Sequence, residues 1–426
     1  MGTRTPAAPP GPALTPLPCD GFDRSQMKPT LGAALLALVF DYPLHACIFG
    51  FLRWAAPLLQ LGKYFVVTRY DDVLEVLSRD RDFAVPWAAK MEELTDGENF
   101  VLGMPRGARY KQSYEQLATA FPREDVTRIV QPRAGQISED KLAGIRRMDV
   151  IQDLMWAVPT QLTGEYYGIP IADAKEFAFW TVAVSRYLFG PPSAGPDDLA
   201  RVAAGCLRAA IRQGIARAKA GANKGAVLPR LIEAQRRTPD IMTDEVITAQ
   251  LFGMVLGFIP TNLIASGNII DTLLRFPEFM AQARAAAFAD DDQRLWLCLQ
   301  EALRFRFINP GTWRVCAART TIAAGTSRAT VVPAGAILLV SAQSAMFDRR
   351  EIELPRQFNP NRPPEDYLTF GYGQHWCIGA YIAMAQITAT FKALLLKKGL
   401  RRADGADGRL RRITIYPAYM AVEFGS

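Results

Sequence analysis

One run near the middle of the chain restricts the fold more than any other: TDEVITAQLFGMVLGFIPTNLIASGNIIDTLL, residues 243–274. Thr243 is placed as an N-cap, and Asp244 and Glu245 follow where the helix dipole favours acids. A helix of about 32 residues is ~48 Å long. This one is apolar nearly all round through its middle, so other elements must enclose it. Pro260 interrupts the pattern. It lacks the N–H that would bond the Leu256 carbonyl, so a kink or opening is expected there, with a carbonyl free for water or ligand. The chain has 426 residues, enough to enclose such a helix and still hold a bulky cofactor.

The surroundings read as mostly helical. Residues 110–303 carry helical periodicity, broken by Pro and Gly clusters near 190–195 and 221–225. Strand signals are short: 63–69, 330–340 and 413–424. Asp71 or Asp72 is the expected cap of a helix after the first strand, and 85–105 reads as a loop. There is no internal repeat and no glycine-serine linker. The expected fold class is mainly α (α+β): a large helical domain with small edge sheets over 31–426, after a Pro-, Gly- and Ala-rich mobile tail over 1–30.

Composition excludes several functions. The six cysteines, at 19, 47, 206, 298, 316 and 377, form no CxxC pair, so a disulfide framework or zinc ribbon is not expected and a reducing, cytoplasmic setting is the default. His45 and His375 are the only histidines, too few for a His-rich metal site. The apolar stretch at 31–40 is ten residues long, half of what a spanning helix needs, and reads as a buried amphipathic helix, with a surface-lying anchor as the lesser option. The net charge of +7 is partly concentrated at 392–412, where eight Lys and Arg face two Asp. With no aromatic interleaving, this reads as a solvated face and not as a nucleic-acid site.

The chemistry-bearing segment is FGYGQHWCIG, residues 370–379. A thiolate bound to iron must be deprotonated, shielded and steadied by backbone N–H groups. Gly371 and Gly373 permit the positive-φ turns that aim such groups inward. Cys377 stands at the start of a helix pattern, 378–398, whose N-terminus favours the anion. Gly379 leaves room for a flat macrocycle, Phe370 can cover the sulfur, and Gly399 is placed to end the helix.

This segment resembles the cysteine-ligand loop of the haem-thiolate cytochrome P450 family, FGxGxHxCxG. Phe370, Gly371, Gly373, His375, Cys377 and Gly379 match all six fixed positions. The family's ExxR motif appears as Glu301 and Arg304, followed by Arg314 and by Phe358–Arg362. The resemblance covers residue 31 to the C-terminus. It implies haem b (iron protoporphyrin IX) lying between the long central helix and the Cys-ligand helix, with Cys377 as the metal ligand. It further implies a buried Glu301–Arg304–Arg362 network, with His375 and Arg314 as propionate partners. The family places further propionate partners on an early helix, where this chain has Tyr110 and Tyr114, neither cationic.

A second departure bears on mechanism. Oxygen-activating members carry an acid before a threonine in the central helix; here the pair is Pro260 and Thr261, followed by Asn262. Thr261 keeps a hydroxyl, and Asn262 supplies an amide of the kind some isomerase and dehydratase branches use. The first reading is an oxygen-dependent monooxygenase that hydroxylates or epoxidises an apolar molecule with electrons from a ferredoxin- or flavodoxin-type donor. The alternatives are a peroxide- or lipid-hydroperoxide-using haem enzyme (peroxygenase, isomerase or dehydratase) and a non-catalytic haem-binding protein. Gly253, Leu256, Gly257 and Thr261 form the expected pocket stripe, with 85–105 and 177–189 as its lid walls. If the fold holds, some of the 392–412 cations are placed toward the thiolate side, for an acidic donor.

Overall fold

The computed structural model describes Val39, residues 41–192 and residues 197–425; the expected tail over 1–30 and almost all of the apolar stretch at 31–40 lie outside the described residues. Six helices organise the site: α1 (Ala108–Ala120), α2 (Ala174–Phe189), α3 (Asp198–Lys219), α4 (Asp244–Arg275), α5 (Asp292–Phe305) and α6 (Ala380–Leu395). Helix α4 is the long run singled out above, and Thr243 caps it by accepting from the Val246 N–H at 3.3 Å. It packs against α2, α3, α5 and α6, so the other helices cover the apolar girdle that the sequence leaves no other way to hide. By length and composition α4 would suffice to cross a membrane, but 89% of its most apolar window lies inside the fold. Pro260 neither ends nor opens it: the helix runs unbroken through that position, contrary to the expected opening.

The main sheet has five strands, β1 (Leu58–Leu61), β2 (Tyr64–Val67), β3 (Phe83–Ala84), β4 (Thr312–Cys316) and β5 (Ile337–Val340), in the order β1-β2-β5-β4-β3. Only β2 and β5 pair in parallel, with Tyr64 opposite Ile337. Three smaller sheets use short strands, among them Arg411–Ile413 with Tyr416–Tyr419 near the C-terminus. The result is one helical body with small sheets at its edge, as the sequence led us to expect.

Local readings needed revision at element ends. The helix after β2, Tyr70–Ser78, has Arg69 at its N-cap position; Asp71 and Asp72 lie in its first turn, and both accept from Arg328 instead of capping. The span 85–105 holds a helix, Ala88–Leu94, and a short turn at Val101–Gly103. Helix α6 starts at Ala380 and ends at Leu395, so Cys377 sits in the loop ahead of it and Lys397 and Lys398 lie beyond it. Gly399 does adopt positive φ, +61°.

Candidate haem-thiolate site

Cys377 is held by a turn whose glycines cannot be replaced cheaply. Gly371 (φ +78°) and Gly373 (φ +68°) occupy the left-handed region. A Cβ on Gly373 would lie 3.0 Å from the Leu77 carbonyl oxygen, so the loop seats directly on the end of helix Tyr70–Ser78. The Cys377 N–H donates to the Phe370 carbonyl at 2.9 Å, closing the loop on itself. Phe370 stacks on Trp296 of α5 (6.0 Å between centroids, 23°) and meets Trp376 edge-on. A Cβ on Gly379 would find only the Cys377 sulfur, at 3.9 Å, so that side of the loop is open to a flat group.

The sulfur faces an interior cavity of about 340 Å³ bounded by the Cys loop, α4, β4 and the walls 87–102 and 185–189. Burial pushes the Cys377 thiol up to about 11, against one stabilising bond from the Gly379 backbone. A thiolate in so apolar a place needs a cation beside it. Among the described residues no group of three His, Cys, Asp or Glu side chains can hold a metal ion, so a single soft sulfur is the donor on offer.

Behind the loop, Glu301 and Arg304 of α5 are wholly buried and paired twice, Nε to Oε2 and Nη2 to Oε1, both 2.8 Å. Arg362 donates to the same carboxylate at 3.2 Å, as do the Asn359 N–H (2.9 Å) and the Tyr367 hydroxyl (3.0 Å). The remaining guanidinium hydrogens go to the carbonyls of Met346, Pro355, Glu353, Leu354 and Gln357. Burial opposes the Glu301 charge, but Arg304, the Asn359 N–H and Arg362 together hold its pKa below the usual carboxylate range. Tyr367 is the member that sequence reasoning missed; no spacing rule marks it.

Arg314, on β4, is the opposite case. It is 3% exposed, yet bonds only the Thr312 hydroxyl and the Trp313 carbonyl, both at 2.9 Å, and makes no ion pair among the described residues. Burial lowers it to about 10, with Asp80 pulling it back. His375 lines the same cavity with a buried Nδ1 that has no hydrogen-bond partner; burial and then the field of Arg314 lower it to about 4. Two cation-capable groups without an anion, beside one sulfur and a glycine-lined gap, fit a flat iron macrocycle that carries carboxylates.

The structure brings Cys377, His375, Arg314, Phe370, Gly371, Gly379, Gly257, Thr261 and Asn262 to one cavity. Four expectations need correction. Leu256 is fully buried and does not line it, because the helical turn points it into the core. Gly253 lines the cavity as expected but opens no space there: a Cβ would stand 2.1 Å from the Phe100 ring, so the glycine seats that ring on α4. Tyr110 and Tyr114 of α1 are not in the wall, and the Tyr110 hydroxyl donates to the Gln374 carbonyl at 3.0 Å. Asn262 touches the wall, but its amide nitrogen donates to Gln386 on α6 at 2.9 Å and so ties two helices together. Gly257 and Thr261 line the cavity as read, and Gly257 has open space where a side chain would be.

The cytochrome P450 family model matches residues 216–398, a span that holds α4, the Glu301–Arg304–Arg362 network and the Cys377 loop. This match and the relatives below support a bacterial cytochrome P450. Among its relatives is the cytochrome P450 monooxygenase PikC of Streptomyces venezuelae, 27% identical over 363 residues that cover 81% of this chain and 80% of PikC. Another is the cyclomarin C epoxidase CymV of Salinispora arenicola, 23% identical over 346 residues, covering 78% and 83%. The solved structure of the open cytochrome P450 Eryk from S. erythraea superposes with a TM-score of 0.72 at 23% identity, covering 89% of this chain and 95% of that one. This P450 is thus an oxidoreductase with haem as its cofactor, of the haem-thiolate monooxygenase kind.

Half of the basic residues in the 392–412 run are paired, while Lys397, Lys398, Arg409 and Arg412 make no ion pair among the described residues. Lys392 pairs with Asp292, Arg401 with Asp404 and Glu423, Arg402 with Asp271, and Arg411 with Asp407. Arg412 bonds Asn268 and the Ile415 carbonyl. The cations beside the Cys loop come from elsewhere: Arg106, which bonds Gln374 and Asp80, and Arg123, which bonds the Tyr381 hydroxyl.

Proposed function

We propose that this P450 is a monooxygenase that inserts one oxygen atom of dioxygen into a medium-to-large apolar molecule, with Cys377 as its iron ligand. The observation that carries the reading is the Cys377 cavity with Arg314 unmatched by an anion and the buried His375 Nδ1 without a partner. Haem, when bound, supplies the redox chemistry of oxygen activation. Arg314 and His375 would hold its propionates by hydrogen bonds, and the Gly379 backbone would steady the sulfur. Trp87, Phe100, Phe189, Met254, Phe258 and Ile308 line the remainder of the cavity, keep water out and select an apolar substrate. The Thr261 hydroxyl, on the cavity wall, donates to the Gly257 carbonyl within its own helix. It holds a proton one turn from the open face of Gly257, and ordered water must complete the path that the missing acid would otherwise provide. Electrons come from a ferredoxin- or flavodoxin-type donor at the face where Tyr372 and Trp376 are exposed and where Arg106 and Arg123 supply positive charge.

Pro260 in place of the acid favours a second reading, in which the substrate brings its own oxygen as a hydroperoxide and no relay is required. The experiment is to load the protein with haemin. A reduced, carbon-monoxide-treated sample shows the long-wavelength thiolate band, and Cys377→Ala loses it. Turnover of apolar substrates with ferredoxin, reductase and oxygen supports the monooxygenase. Turnover of a lipid hydroperoxide without reductant, with none by the first route, replaces it by the second reading. A wild-type protein that takes up no haem overturns both.

A further inference from the structure

A second concavity lies at the far end of α4, apart from the residues that line the Cys377 cavity. It is an open cleft of about 540 Å³ formed by Asp41, the α4 residues Asp271 and Arg275, Arg306 just after α5, and the segment 402–410. Arginines dominate its chemistry. Arg275, Arg306 and Arg402 all converge on the Asp271 carboxylate, whose side chain is 5% exposed, and Arg275 and Arg306 also reach Asp41. Burial works against the Asp271 charge, yet Arg306, Arg402 and Arg275 together keep its pKa below the usual range. Arg409 joins the wall with no side-chain partner in the described structure. Arg412 stands behind it, lowered to about 9 by burial and by the field of Arg306. Four guanidinium groups therefore line the cleft against two carboxylates, three of them paired and Arg409 left over.

Such an arrangement is under-compensated. The unpaired Arg409 stands exposed at the rim, where its fork is free to meet a ligand beside the three arginines already gathered on Asp271. A concave group of arginines with excess positive charge suits an anion with several oxygens, since each planar fork can give two parallel hydrogen bonds. Gly405, with φ +69° and no atom near its missing Cβ, keeps the rim open beside Arg409. We propose that this cleft is a binding site for a phosphate- or pyrophosphate-bearing small molecule, held between Arg275, Arg306, Arg402 and Arg409.

The test uses the haem-loaded, full-length protein and inorganic pyrophosphate at low salt, followed by calorimetry and thermal unfolding. The expected result is saturable binding with a higher melting temperature and an unchanged haem spectrum. Arg409→Ala, which breaks no ion pair of the folded chain, should weaken binding about tenfold, the ratio carried by one charge-assisted hydrogen bond. Arg409→Glu should abolish it. A parallel reversal on the exposed helix Val227–Arg237, Arg237→Glu, should leave it intact. Orthophosphate binding with no gain from pyrophosphate would reduce the ligand class to a single phosphate. No saturable binding by the wild type, or equal loss in Arg409→Glu and Arg237→Glu, overturns the site.

Discussion

Arg304 and Arg314 are of one residue type, ten positions apart and almost equally buried, at 0% and 3% exposure, yet they are resolved in opposite ways. Arg304 is closed. Glu301 meets it twice, the carbonyls of Met346, Pro355 and Gln357 take its further hydrogens, and the Phe347 ring lies 4.5 Å from its carbon. Arg314 has a hydroxyl, one carbonyl and the face of Trp87, but no anion. The difference teaches which charges belong to the fold and which to its ligand. A buried cation with its counter-charge in the chain is complete on folding, whereas one without it is completed by something that binds.

Four experiments would break or sharpen that contrast. The largest effect is expected from Arg304→Met, which leaves Glu301 buried with only Arg362, Tyr367 and one N–H; a loss of about 3–5 kcal/mol in urea unfolding is expected. A loss close to zero would mean that the closed network is not a structural element. Next is acidification of the haem-free protein. His375 is lowered from 6.5 to about 4, so the unfolded chain binds the proton first and stability falls as pH drops through that interval. The slope there, on the order of 3 kcal/mol in total, should flatten in His375→Asn. His45 is lowered to about 3 by burial, with neither ring nitrogen bonded, and adds a fall of the same sign that His45→Phe should remove. The Glu301 charge acts at lower pH, because its stabilisation is lost only as pH falls through its depressed value.

Third, Arg314→Met should leave the haem-free chain as stable as before, since it removes an unmatched cation, but should speed haem release about tenfold, as expected for one lost charge-assisted bond. Stopped-flow transfer of haem to an acceptor measures this; unchanged release would place the propionates elsewhere. The smallest change is Asn262→Ala, which leaves Gln386 without its donor and should cost about 1 kcal/mol while the product pattern stays the same. A changed product pattern would return Asn262 to the chemistry.

What was readable in advance was local. Thr243 caps α4 because its side chain meets an N–H three residues on. Glu301 and Arg304 meet because residues at i and i+3 share a helix face. Gly371 and Gly373 turn the Cys377 loop because only glycine takes positive φ without strain. The misreadings were mostly non-local. Two partners of the basic run at 392–412, Asp271 and Asp292, lie on other elements and leave no mark in the run itself. Pro260 reads as a kink or opening, and the helix continues through it.

The amino-acid order by itself therefore determined the long apolar helix, the thiol-bearing turn and the pairing of Glu301 with Arg304, since each depends on contacts within a turn or two of chain. Tertiary structure alone decided that Gly253 seats Phe100, that Asn262 answers to Gln386 from 124 positions away, and that Arg314 is left without an anion. Those outcomes depend on which distant surfaces meet, and burial sets the energy of a charge or a missing side chain only once they have met.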